Sequence, residues 1–129
     1  MAGKIVADTL EHSTAGSLDT SYVVDGSAKA WSESITSGTQ TVNDSLNVSS
    51  ITDGGPGLST LTWVNAFTST AYTYALSRSG SNNTGNTFQM ERAAQTSATL
   101  LFSTKYSDPS SINMGDSTSA STIHTGELA

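Results

Sequence analysis

Apolar and polar residues alternate along most of the chain, the pattern of strands that bury one face. Tyr22 and Val24 share one parity, and Lys29, Trp31, Glu33 and Ile35 share the next. Leu46 and Val48 alternate, then Ile51 falls on the opposite parity, which predicts a bulge near Ser49 and Ser50. Leu61, Trp63 and Phe67 keep odd parity with polar Asn65 among them. Tyr72, Tyr74 and Leu76 follow, then Phe88 and Met90, then Ala98, Leu100, Phe102 and Tyr106. Ile123 lies in a last short run, STIHTGEL. The turn clusters SGTQ, TDGGPG, SRSGSNNTGN and SDPSSINMGDSTS separate these runs. Regularly spaced strands without helical periodicity predict an all-β domain over residues 21–129, an antiparallel β-sandwich of jelly-roll-like form.

The sharpest local signal is NVSSITDGGPGLSTLTW, residues 47–63. Asp53-Gly54 between two alternating runs predicts a hairpin, because such turns demand positive φ. Pro56 cannot donate to a ladder and belongs inside the loop. A phosphate-binding loop would need a Lys after its last glycine and a following helix. Leu58 follows Gly57 instead, and opens a strand pattern.

Residues 1–20 read differently, as an extended N-terminal β-arm for oligomerisation or attachment. Ile5, Val6, Leu10 and Leu18 are its large apolar residues after Met1. Burying four such side chains contributes about 6–12 kcal/mol at most. Ordering the backbone costs roughly 1–2 kcal/mol per residue, so local burial cannot hold the arm. Neighbouring chains are expected to supply the rest, by strand addition or by winding about a shared axis.

Composition narrows the function. Among 129 residues there are 23 Ser and 20 Thr, with 35% hydrophobic and 12% charged residues. So small an apolar core is marginal alone, and oligomerisation is a usual remedy. Net charge is −6, and Lys4, Lys29, Arg78, Arg92 and Lys105 are scattered, so nucleic-acid binding is not expected. No apolar run reaches the roughly 20 residues of a membrane helix, so membrane insertion is not expected either. MAGKIVADTL lacks the apolar centre of a signal peptide. With no cysteine there are no disulfides, in keeping with synthesis in a reducing cytoplasm.

Candidate chemistry is sparse. His12 and His124 lie near opposite ends of the chain, no G-x-S-x-G elbow exists, and the eleven acids form no evident pair. Neither catalysis nor a cofactor is expected. Asp8, Glu11 and His12 in ADTLEH form a weak metal candidate that symmetry mates would have to complete. Asp108 and Asp116 lack the spacing of a calcium loop. The sequons at Asn43, Asn47 and Asn82 occur at the frequency this composition gives by chance. Trp31, Trp63, Tyr72 and Tyr74 are candidates for a receptor-contact, carbohydrate-stacking surface, although a chain with so few large residues also needs aromatics in its core.

SLDTSYVVDGSAKAW, DSLNVSSITDGG and the closing STIHTGELA resemble a module in structural proteins of tailed bacteriophages, marine ones in particular, where it ends tail-fibre-like proteins. The resemblance runs from about residue 5 to the end; Leu58 to Asp116 match only in strand rhythm. It implies a non-enzymatic virion component made in the host cytoplasm. The expected partners are further copies of the chain, as a homotrimer, and other virion proteins, with host surface polysaccharide as a candidate receptor. In long fibres the module follows a shaft, whereas here Met1 directly precedes the arm. That departure points to a short tail fibre for host attachment, or alternatively to a capsid decoration or head-fibre protein.

Overall fold

The computed structural model describes residues 6–79, 87–108 and 111–129, with backbone alone at His12, Ser79, 87–91, 106–108 and 111–112. In chain order the elements are β1 (Thr9–His12), β2 (Gly16–Asp19), α1 (Thr20–Gly26), β3 (Ala28–Ile35), β4 (Thr41–Leu46) and β5 (Val48–Gly55). There follow β6 (Leu58–Trp63), β7 (Thr73–Ser79), β8 (Thr87–Gln95), β9 (Thr99–Asp108), β10 (Ser111–Met114) and β11 (Ser119–Thr125). A four-stranded sheet runs β4-β3-β11-β7, and a five-stranded sheet runs β10-β9-β6-β5 with β8 on the other side of β9. Every pairing is antiparallel. The all-β, sandwich-like class expected from the alternation is therefore the class observed.

The two sheets contribute unequally to the space between them. The five-stranded sheet supplies Leu61, Trp63, Leu100 and Phe102, joined by Phe67 and Tyr72 from the loop before β7. Opposite them, the four-stranded sheet offers small residues: Ala30, Ser32 and Ser34 from β3, and Ala120 and Thr122 from β11. Large side chains facing small ones interdigitate and fill the interior. Buried hydroxyls need partners, and several pair across strands. Ser32 Oγ lies 2.9 Å from Thr122 Oγ1, and the Ser117 amide donates to Thr36 Oγ1 at 2.8 Å. Arg78 of β7 reaches across, its guanidinium donating to the carbonyls of Lys105 at 3.1 Å and Asp116 at 3.2 Å.

The turn at DGGPG forms where expected, between β5 and β6, with the Asp53 carboxylate accepting the Gly55 amide at 2.8 Å. Gly57 does more than turn the chain. Its amide donates to Asp116 Oδ1 at 2.8 Å, and its carbonyl accepts the Thr104 amide at 2.8 Å. The register shift between Val48 and Ser50 places a bulge where the parity change predicts one.

Four local expectations are corrected. Tyr22 and Val24 lie in a helix, α1, because the Asp19 side chain caps it by accepting the Ser21 amide at 2.8 Å. The sandwich consequently begins at Ala28 and not at residue 21. Leu46 and Val48 belong to different sheets, since Asn47 takes a positive φ of 59° and turns the chain between β4 and β5. SDPSSINMGDSTS contains β10, four residues that extend the ladder of β9. Finally, Trp31 and Ile123 sit on the outer face of their sheet; the small residues beside them in sequence are the buried ones. The outward rotation follows from packing: opposite the large residues of the other sheet, the inner face of β3 and β11 holds Ala, Ser and Thr, with His124 its one large side chain.

Candidate functional site

The four candidate aromatics do not form one surface. Trp63 and Tyr72 are each 5% exposed and belong to the core, which corrects their assignment to receptor contact. Trp63 meets Phe67 and Tyr72 edge-on, with ring centroids 5.7 and 6.0 Å away, while Phe67 and Tyr72 stack at 4.1 Å. The Tyr72 hydroxyl donates to the Thr99 carbonyl at 3.1 Å, so its polar tip is satisfied from within, and burial raises its pKa. Tyr74 stands at the margin, with the Arg92 guanidinium 5.7 Å from its ring centre. Trp31 lies on the opposite side of the four-stranded sheet.

Inside the aromatic cluster is a residue that sequence reading set aside. His124 is fully buried, its ring 4.7 Å from that of Trp63 and 5.9 Å from that of Tyr72. Among the described residues neither ring nitrogen has a hydrogen-bond partner. Desolvation favours the neutral ring and lowers its pKa to about 4. No nucleophile or carboxylate pairs with the ring there, so it is packed as an aromatic. Its parity with Ala120 and Thr122 was the only sequence signal, and the adjacent Ile123 obscured it.

The outer face of the four-stranded sheet carries two adjoining cross-strand rows. Leu46, Trp31, Ile123 and Ala75 are in register across β4, β3, β11 and β7. The neighbouring row is Asp44, Glu33, Ser121 and Ser77. Glu33 is held in place: one carboxylate oxygen accepts Ser119 Oγ at 2.5 Å and the other accepts the Ser121 hydroxyl. Asp44, directly across from Glu33, instead accepts its own neighbour's amide, Ser45 N, at 2.8 Å. The two acids thus have separate partners on an open face, an arrangement unlike the facing carboxylates of a glycosidase cleft.

The arm forms a unit of its own. Leu10 and Leu18 pair across the β1-β2 hairpin, and the Thr20 hydroxyl and amide bind the Ala7 and Asp8 carbonyls at 2.8 to 3.0 Å. The hydrogen bonds from Ser21 lower the Asp19 pKa and keep this cap charged. Yet α1 has no buried residue. Val6, Leu10, Leu18, Tyr22, Val23 and Val24 are all exposed, Tyr22 by 70%. A two-stranded hairpin and a two-turn helix are each marginal by themselves. Of the residues expected to anchor the arm, Ile5 lies outside the described residues. For the metal candidate, Asp8 and Glu11 are exposed and the His12 side chain lies outside the described residues. Among the described residues no three metal-ligating side chains cluster, and no helix is long and apolar enough to cross a membrane.

Compared with protein-family models, with curated proteins and with solved structures, the chain matches none of them.

Proposed function

We propose that the chain is a structural component of a bacteriophage virion, a short fibre-like tail protein that takes part in host attachment and works without catalysis. The observation that carries this reading is the N-terminal unit, which presents six exposed apolar side chains while none of its described side chains enters the sandwich core. Such a surface serves an assembly better than a free monomer, since exposed contiguous apolar area marks interaction sites. The arm attaches the protein to neighbouring copies, as a homotrimer, and to other virion proteins. The sandwich then faces solvent, with the Trp31 face outward toward host surface polysaccharide. The resemblance of residues 17–31 and 44–55 to tailed-phage structural modules supports the same role. A capsid decoration or head-fibre protein would use the same arm at a different place on the particle.

Deleting residues 2–26 tests this. Every described core residue lies at Ala30 or beyond it in the chain, so the truncated chain is expected to stay soluble and rich in strand by far-UV circular dichroism. It is also expected to be missing from purified virions. Incorporation at the normal level would overturn the reading. Antibody labelling of the full-length protein at the tail, or at the head, decides between the two locations.

A further inference from the structure

Among the described residues, two of the uncovered apolar surfaces match in character. One is α1, with Tyr22, Val23 and Val24 exposed. The other is a groove of about 350 Å3 at the end of the sandwich where the arm departs, bounded by Lys29, Leu46, Val64 and Leu128 together with Asn47 and Asn65. Val64 is 63% exposed and Leu46 46%, high values for branched aliphatics beside a core. The rim is prepared in advance. Asn47 Oδ1 accepts the Asn65 amide at 2.7 Å, Asn47 Nδ2 donates to the Asn65 carbonyl at 3.0 Å, and Val64 N donates to the Asn47 carbonyl at 3.1 Å. This clasp holds the β4-β5 corner against the segment after β6, at the cost of a non-glycine residue with positive φ.

Charge completes the match. Residues 6–26 carry Asp8, Glu11, Asp19 and Asp25 and neither Lys nor Arg. The one charged residue on the groove is Lys29, whose ammonium donates to Ser27 Oγ at 2.6 Å. An acidic, apolar helix and an apolar groove marked by a cation are complementary. We infer that α1 of one copy docks in this groove on a second copy, with Val23 and Val24 against Leu46, Val64 and Leu128 and with Asp25 beside Lys29.

The occupant is another copy and not the chain's own helix. A single extended residue, Ser27, links Gly26 to the groove wall at Ala28, and α1 lies against β2 with no buried residue. Because the arm leaves the sandwich beside the groove, each copy gives and receives at the same end. That placement suits an exchange closed about a symmetry axis. The inference rests on the arm being an assembly element, and deepens that reading by naming what receives it.

The chain has no cysteine, so single cysteines report contact cleanly. Full-length Val24→Cys and Val64→Cys variants are purified separately, mixed in equal amounts and oxidised in the absence of any phage particle. The expected product is a covalent heterodimer, formed in clear excess over homodimers of either variant. Adding Asp25→Lys to the first variant should reduce its yield several-fold, and Lys29→Glu on the second should restore it. Circular dichroism of each variant checks that the sandwich is intact. Absence of the heterodimer would overturn the inference, as would a chain carrying both Val24→Cys and Val64→Cys that closes mainly on itself. Failure here alongside loss of the truncated chain from virions would mean that the arm grips a different virion protein. A heterodimer alongside normal incorporation of the truncated chain would keep the docking and reject the attachment role.

Discussion

At the scale of single residues, His124 decides how the fold responds to acid. Its pKa in the folded protein is about 4, below the ordinary value of 6.5 that it regains on unfolding. Below pH 6.5 the unfolded chain therefore binds a proton that the folded chain refuses. The stability this contributes is complete above pH 6.5 and is lost as the pH falls toward 4, by up to about 3 kcal/mol. Urea midpoints measured from pH 7.5 to 4.5 should show the decline, and His124→Leu should flatten it. At pH 7 the Leu variant should be at least as stable as the parent, because two buried nitrogens without partners are removed. Parallel pH profiles for the two proteins would refute this assignment. Only its parity with Ala120 and Thr122 in the sequence points to the burial of His124. A lone histidine beside an isoleucine looks like the exposed partner, and only the small residues facing Trp63 reverse that reading.

Secondary-structure elements were legible where local chemistry decides them and obscure where tertiary packing does. The β5-β6 hairpin and its bulge followed from Asp53-Gly54 and a parity change, both local facts. The helix α1 was hidden because two adjacent valines favour a strand, while one aspartate cap and the adjoining hairpin override that preference. The face of β3 could not be read at all: Trp31 and Ile35 outrank Ala30, Ser32 and Ser34 in hydrophobicity yet lie outward. Of the candidate site, only the apolar residues of the arm stood out in advance. The groove combines side chains from β3, β4, the β6-β7 segment and the chain end, which no sequence spacing brings together. The hairpin also yields a test at this scale. Gly57 has φ of 68°, and a Cβ there would lie 2.6 Å from both Gly115 N and Thr104 O. Backbone atoms cannot step aside as a flexible side chain can. Gly57→Ala is therefore expected to cost more than about 2 kcal/mol in chemical denaturation. Gly38→Ala, where a Cβ meets nothing within 4 Å, isolates the conformational part of that loss. Equal losses at the two positions would show that the close approach at Gly57 is unimportant.

For the whole molecule, the hydroxyl-lined interior has a thermal consequence. Among the described residues eight apolar side chains are buried, against nine polar ones, most of them Ser or Thr. Hydrating apolar surface raises the heat capacity of the unfolded chain, whereas hydrating polar surface lowers it. A typical domain of this length would gain about 1.5–1.9 kcal/mol/K on unfolding. The increment here should fall clearly below that range in scanning calorimetry of the purified protein, and a value inside it would contradict the account. A small increment flattens the dependence of stability on temperature. A protein packed in this way keeps nearly the same margin in cold water as in warm, with its cold-denaturation point pushed far below freezing.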